Sequence, residues 1–452
     1  MKYLNFLKQK QHISSKDGFS PIFVPDFLFD FQRELMEWAI LGGRNAIFAD
    51  CGMGKTPMQL VWAENIVRKT NGKVLIITPL SVAFQTVEEG QKFEIEAIQS
   101  RDGKFNKVNK IIVCNYEKLH FFDPYDFDGV ICDESSIIKN FDGSRKTQIT
   151  EFMKKIRYRL LCTATAAPND YPELGTSSEA LGHLGYMDML SMFFKNDEDS
   201  LHPAFFKSKW RFKRYAEIDF WRWMASWARA CRKPSDLGFK DNEFVLPKLS
   251  VSHCFVEGKK IPGKLIECHA KGWKEERQAR KDSIVSRCER SAQELQKVGA
   301  GIAWCHLNDE SSLLKSLLKD SVEVKGGDSD EYKEESFRLF RQGKIKILIT
   351  KPKIAAFGMN WQHCSNMTYF PTHSYEQYYQ SIRRCWRFGQ KKQVNIKLIY
   401  PMSLEGIAKN MMRKEIACDK MFSEFIKVMN DPLYKISISN HETKERIPEW
   451  VA

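Results

Sequence analysis

Two blocks of this chain repeat one pattern, a short apolar run followed by an amphipathic stretch. In the first block, between Asn45 and Thr165, the apolar runs are Ala46–Ala49, Val74–Thr78, Ile111–Asn115, Val130–Cys132 and Arg159–Thr163. The second block starts near Gly301, with runs at Gly301–Cys305, Val322–Val324, Ile345–Thr350, Met367–Phe370 and Val394–Tyr400. Short apolar strands alternating with amphipathic helices predict a parallel sheet covered by helices, once per block. The fold class expected is therefore α/β.

The stretch between the blocks, about 181–250, reads differently. It is aromatic, basic and helical in pattern, with Lys209-Trp210-Arg211-Phe212-Lys213-Arg214 and Phe220-Trp221-Arg222-Trp223-Met224. Phe220, Trp223, Met224 and Trp227 fall at helical spacing and are expected to pack inward, and Pro234 is expected to stop the helix. A charged helical stretch, Trp273 to Lys297, leads into the second block, and the chain after about 403 reads as helical and then weakly ordered. The division expected is an N-terminal extension (1–25), a first lobe (26–180), a helical insertion (181–250), a second lobe (251–402) and a C-terminal tail (403–452).

Candidate chemistry sits at the ends of the strands. Asp50 to Thr56 reads D-C-G-M-G-K-T directly after the first run. With Ala49 at its first position it is a phosphate-binding loop of the G/A-x-x-x-x-G-K-[ST] type. Gly52, Met53 and Gly54 would present backbone N–H groups to a triphosphate at a helix start. Lys55 would reach the β/γ-phosphates and Thr56 would hold Mg²⁺. Further on, Gly129-Val130-Ile131-Cys132 ends in Asp133-Glu134. Asp133 at such a strand tip can hold the metal through its shell, and Glu134 can polarise the attacking water. The cofactors expected are ATP and Mg²⁺. The second block has no phosphate loop, but it carries Gln380-Ser381-Ile382-Arg383-Arg384-Cys385-Trp386-Arg387-Phe388-Gly389-Gln390. Arginines three apart share a helix face, and a planar guanidinium suits charge on a transferring phosphoryl group. Taken alone, that segment reads more readily as a solvated basic helix face.

The composition narrows the setting. At 452 residues and 43% hydrophobic the chain suits two or three globular domains. No apolar run approaches the roughly 18 residues of a membrane span, and Met1 to Phe6 lacks the apolar core of a signal peptide. Twelve cysteines are scattered with no C-x-x-C pair, several of them (Cys114, Cys132, Cys162, Cys305) inside strand-like runs. Buried free thiols in a reducing cytoplasm are expected, and a zinc site is not. A net charge of +13 suits a polyanionic partner.

With these residues in hand, the chain resembles superfamily-two helicases of the Swi/Snf-like branch, from about Phe31 to Tyr400. Phe31-Gln32 sits where the family has the glutamine that reads adenine. Ile77 to Gln85, I-T-P-L-S-V-A-F-Q, looks like the first nucleic-acid-contacting motif, and Asn115-Tyr116-Glu117 matches the family's N-Y-E. Asp133-Glu134-Ser135-Ser136 runs into Ile138-Lys139-Asn140 as the acidic motif runs into I-K-N, and Cys162 to Asn169 looks like the coupling motif. Thr350-Lys351 and Gly358-Met359-Asn360-Trp361 resemble S-T-K-A-G-G-L-G-L-N. Gln380 to Gln390 resembles Q-A-I-G-R-A-H-R-I-G-Q, which places finger arginines at Arg384 and Arg387. Trp304-Cys305-His306-Leu307-Asn308 and Arg232 to Phe239 look most like compact bacteriophage members. Four positions depart from the pattern: Ser136 for a His that couples ATP state to the second lobe, Ala164 for Gly, Ala166 for Pro, and Arg383 for the Gly before the first finger.

The resemblance implies two RecA-like parallel-sheet lobes with ATP in the cleft between them. It implies catalytic roles for Lys55, Asp133, Glu134, Arg384 and Arg387, with Gln32 joining the phosphate loop around the nucleotide. The nucleic-acid contacts it suggests are Ser81, Gln85, His306, Thr350, Lys351 and Asn360; His306 reads equally as a satisfied strand-end histidine, and Trp361 as core. The function implied is a DNA-dependent ATPase that translocates on duplex DNA without sequence preference. A strand-separating DNA or RNA helicase and a non-catalytic DNA-binding scaffold are the alternatives. A monomer in the cytoplasm of a bacterial host, beside phage or host replication or recombination proteins, is the setting implied.

Overall fold

The computed structural model of the chain describes residues 17–141, 143–167, 170–196, 210–258, 270, 272–355 and 359–431. Pro168, Asn169, Lys209 and Gly358 of the motifs above lie outside the described residues, as does most of the N-terminal extension.

The first sheet contains β1 (Arg44–Ala49), β2 (Val74–Thr78), β3 (Ala97–Gln99), β4 (Ile111–Asn115), β5 (Gly129–Asp133) and β6 (Tyr158–Cys162). A short antiparallel pair, β7 (Phe194–Asn196) and β8 (Trp210–Phe212), stands apart, and β9 (Ala228–Cys231) returns to the first sheet. The order is β3-β4-β2-β5-β6-β1-β9, with every pairing parallel. Strands β2, β4, β5 and β6 are buried at every position. Helices cover both faces, which is why these strands read as continuous apolar runs.

The second sheet contains β10 (Leu249–Val256), β11 (Gly301–Trp304), β12 (Ser321–Glu323), β13 (Ile347–Thr350), β14 (Asn366–Tyr369) and β15 (Val394–Pro401). Its order is β10-β15-β14-β11-β13-β12, again all parallel.

The stretch 181–250 is not one separate helical body, in contrast to the expectation. Its helix Ala216–Trp227 does form, with Phe220, Trp221, Met224 and Trp227 buried and Trp223 half-buried. Directly after it, however, β9 pairs with β1 and closes one edge of the first sheet. Ala228-Arg229-Ala230-Cys231 lacks β-branched and aromatic residues, so it carries no strand signal. The C-terminal stretch forms a helix, Glu405–Met429, that leaves the second sheet and packs on the helix Ala216–Trp227 and on β9. The Arg232 guanidinium lies 2.7 Å from the Asp419 carboxylate, and Asn430 donates to the Asp236 carbonyl at 2.6 Å. The two lobes are thereby strapped together by this helix.

The eleven described cysteines are free and buried. Among the described residues no cluster of three or more His, Cys, Asp or Glu could hold a metal ion, and no helix is long and apolar enough to cross a membrane.

Candidate nucleotide site

The phosphate loop turns sharply out of β1 and into the helix Lys55–Thr70. Gly52 and Gly54 hold φ of 92° and 77°, the left-handed region that disfavours other residues. Space excludes a side chain as well. A Cβ at Gly54 would stand 2.1 Å from Gln32 Nε2, and one at Gly52 would stand 2.8 Å from the Phe388 backbone nitrogen. Gln32 is buried and braces the loop, donating from Nε2 to the Met53 carbonyl at 2.9 Å while Oε1 accepts from the Phe29 N–H at 3.2 Å. Lys55 Nζ donates to the Ala49 carbonyl at 3.1 Å, and Thr56 follows it in the first turn of the helix.

The acidic pair stands at the tip of β5, separated from β1 by β6 alone. Asp133 Oδ1 accepts from Gln59 Nε2 at 2.7 Å, and the Tyr116 hydroxyl donates to the Asp133 carbonyl. Glu134 adopts φ 48° and ψ 52°, a conformation that costs a non-glycine residue about 1–2 kcal/mol. Strain of this kind gathers at functional turns. The Thr163 hydroxyl lies 3.5 Å from Glu134 Oε2. Burial, followed by the neighbouring Glu134 charge, pushes the Asp133 carboxyl up to about 7, with Lys55 and Gln59 acting against them. Two buried carboxylates side by side, Asp133 with Lys55 as a neighbouring charge, form a donor set of the kind a hard divalent cation takes.

The second lobe supplies the opposite wall. The helix Tyr375–Ile382 leads into the arginine segment. Arg384 is only 2% exposed. It donates to the Gln380 carbonyl at 2.9 Å, the Met359 carbonyl at 3.0 Å and Gln380 Oε1 at 2.8 Å, and its Nη2 lies 3.5 Å from Cys51 Sγ in the phosphate loop. Arg387 donates to the Met359 carbonyl at 3.1 Å, while its buried Nε has no partner among the described residues. Burial, then Arg384, lowers the Arg387 guanidinium to about 10. Lys55, Asp133, Glu134 and both arginines therefore converge on one interlobe cleft, at the C-terminal ends of the first sheet's strands where ligands of α/β folds bind.

Sequence reasoning did not assign Gln59, Tyr116 or Thr163 to the site. Gln59 had a signal, since it stands one helical turn beyond Lys55. Nor did it foresee the aromatic cluster beside the loop. Phe244 stacks on Phe388 with centroids 4.6 Å apart, and Phe29 meets Phe244 edge-on at 5.0 Å. These three rings come from distant parts of the chain, so no local pattern links them.

A cavity of about 930 Å³ opens between the lobes, lined by Leu80, Glu134, Lys139, Met359 and Glu376 among others. Of the residues expected to meet nucleic acid, Ser81 follows Leu80 in the first turn of the helix Leu80–Lys92, and Gln85 donates to Glu89 at 2.8 Å one turn on. Asn360 follows Met359, its Oδ1 buried and without a partner among the described residues. Lys351 contacts Asn308 Oδ1. His306 and Thr350 are not presented in this way. His306 Nε2 lies 2.9 Å from the Phe370 carbonyl, and burial lowers its pKa to about 4, so it is a neutral, satisfied strand-end histidine. Thr350 is fully buried and its hydroxyl faces the Val324 carbonyl at 3.3 Å. Both side chains are used inside the second lobe. Trp361 is core, packed against Phe340 and Trp304.

No family model matches this chain, and no curated protein matches it. Among solved structures it is similar to S. cerevisiae Dbp5 bound to RNA and ADP BeF3, at 15% identity and TM-score 0.52 over 89% of this chain and 98% of that one. A Dbp5 variant bound to the same ligands gives 14% and 0.53 over the same shares. The Sulfolobus solfataricus SWI2/SNF2 ATPase core in complex with dsDNA gives 15% identity and TM-score 0.42, over 93% of this chain and 98% of that one. At such identities the likeness is one of fold: the two parallel sheets with their helices are a pair of RecA-like lobes.

Proposed function

We propose that this chain is a nucleic-acid-dependent ATPase of the Swi/Snf-like type, which couples ATP hydrolysis to movement along duplex DNA. The observation that carries the reading is the convergence, across one cleft, of a glycine-built phosphate loop, a buried Asp-Glu pair and Arg384 from the opposite lobe. Mg²⁺ held by Thr56 and Asp133 would neutralise charge on the phosphates. Lys55 binds the β/γ-phosphates, and Glu134, set by its left-handed backbone, takes up the proton of the attacking water. Arg384 and Arg387 stabilise charge on the transferring group, and they do so from the lobe that lacks the phosphate loop. Hydrolysis is thereby tied to lobe closure, and lobe closure to a step along the nucleic-acid backbone. The duplex-DNA preference rests on the motif wording, and the bacteriophage setting on the segments around Trp304 and Arg232.

The test is the ATPase rate with no nucleic acid, single strands, duplex DNA and duplex RNA, with Lys55→Ala as control. Strong stimulation by duplex DNA is expected. Equal rates in every arm exclude a translocase, and stimulation by RNA alone moves the chain to the RNA-dependent class.

A further inference from the structure

Arg383 stands where the motif this segment resembles has a glycine, and each nitrogen of its guanidinium meets a protein group. Nε lies 3.3 Å from the Tyr379 hydroxyl, Nη1 donates to the Trp386 carbonyl at 3.1 Å, and Nη2 pairs with the Asp50 carboxylate. The Trp386 ring lies beneath the guanidinium, 4.6 Å away at its centroid. Asp50 belongs to the phosphate loop of the other lobe. Its carboxylate also accepts from the Tyr379 hydroxyl and from the Cys51 N–H at 2.6 Å. The pair is buried, with side chains 6% and 2% exposed. With each of its three nitrogens engaged by a protein group, Arg383 is not a third finger.

The surrounding charges say what the pair does. Burial, then Arg387 and Arg384, lowers the Arg383 guanidinium to about 9. Three arginines within one turn repel each other, and Asp50 supplies the anion that lets them crowd together. The same helix is tied at its other end, where Glu376 pairs with Lys139 just beyond the acidic motif. The helix Tyr375–Ile382 is thus held at one end to the phosphate loop and at the other to the segment that follows Asp133-Glu134. Ser136 stands where the motif it resembles has a coupling histidine, and these two pairs offer another link between the lobes.

We propose that Asp50 and Arg383 form an interlobe latch, with Arg383 a positioning residue that seats Arg384 and Arg387 against the phosphate loop. Both partners are protein side chains, so the latch acts whether or not nucleotide is bound. Its part in turnover rests on the ATPase reading; its part in closure does not.

Hydrogen exchange of the full chain without nucleotide, read by mass spectrometry, tests it. Arg383→Gln and the isosteric Asp50→Asn are each expected to speed exchange about tenfold or more at residues 49–54 and 380–388, as a locally opened unit would. Exchange in β2 and β4 should stay as in the parent. Arg383→Lys, which keeps the charge, should retain most of the protection. In the double variant the effects should not multiply, since the partners share one interaction. Unchanged exchange at the loop in both single variants overturns the latch, as does multiplication in the double, or faster exchange spread through β2 and β4. In ATPase assays Arg383→Gln should lower kcat about tenfold with KM for ATP within about threefold, the pattern of lost transition-state contacts. A parent without ATPase activity removes the functional reading and leaves the exchange result standing.

Discussion

Arg384 of the second lobe reaches Cys51 of the first, its Nη2 3.5 Å from the thiol sulfur at the turn of the phosphate loop. The arginine segment therefore lies over the loop that would hold the triphosphate, and it does not face solvent as an isolated basic helix would. Glycine at position 52 is part of that fit, because a Cβ there would collide with the backbone of Phe388.

Removing either arginine should accordingly cost turnover more than affinity for ATP. Finger arginines contribute roughly 10³–10⁵ in rate in well-studied phosphoryl-transfer systems, and in the proposed mechanism two share the task. Arg387→Ala is expected to lose at least about tenfold in DNA-stimulated kcat, or roughly 1.4 kcal/mol of barrier. Arg384→Ala should lose as much and lower the thermal midpoint too, because three of its hydrogen bonds stay within its own lobe. Lysine cannot reproduce the planar fork, so Arg→Lys should rescue poorly. Intact turnover with lost DNA binding in both variants would make the segment a DNA-contacting face.

In the proposed mechanism the acidic pair divides its work, and substitution should separate the parts. Glu134→Gln removes the base while keeping the shape, so ATP should still bind and turnover should fall by roughly 10² or more, the usual scale of general-base catalysis. Gln59→Leu strips Asp133 of its 2.7 Å hydrogen bond and should raise KM for ATP. Steady-state kinetics with equilibrium nucleotide binding checks both. Wild-type turnover in Glu134→Gln would show that another residue positions the water.

What the chain reveals by itself follows from where its information is local. Val74–Thr78 and Ile111–Asn115 are strands with the bounds their apolar runs predict, because a strand buried on both faces is written as a continuous run. Lys55, Asp133 and Arg384 sit in contiguous motifs and could be found one at a time. Other features escape such a reading. β9 is spelled with alanine and cysteine, and it is a strand because β1 offers an unpaired edge. Thr350 and His306 occur in motif wording that suggests nucleic-acid contact, yet the second sheet buries one and satisfies the other. Phe29, Phe244 and Phe388 meet only after both lobes have formed.

DNA binding should be electrostatic. Lys and Arg outnumber Asp and Glu by 70 to 57, and contacts to a phosphate backbone release counterions. Affinity for a random duplex is therefore expected to fall by roughly 10² or more between about 50 and 200 mM salt if several phosphates are contacted. Little difference between duplex sequences should accompany it. Fluorescence anisotropy titrations check both points, and a salt-independent affinity or a sharply preferred site would contradict them.

Acid stability should report two half-buried histidines, His306 and His183. His306 and His183 are both lowered from 6.5 to about 4, chiefly by burial. Glu310, Arg280 and Arg287 surround His306, while Arg44, Arg159 and Asp17 surround His183. Each ring lies 2.9 Å from a backbone carbonyl, Phe370 for His306 and Arg44 for His183. A carbonyl only accepts, so each ring donates from Nε2 and is already satisfied while neutral. The unfolded chain takes up protons at these positions near pH 6.5, whereas the folded chain resists until about 4. Their contribution to stability is therefore full above about pH 6.5 and is lost as pH falls through the window to about 4. The thermal midpoint should decline across that window. His306→Gln keeps a donor for the Phe370 carbonyl and removes the titration, so its decline should be shallower than the parent's. An identical slope in His306→Gln and His183→Gln would show that these rings already carry their protons in the folded chain.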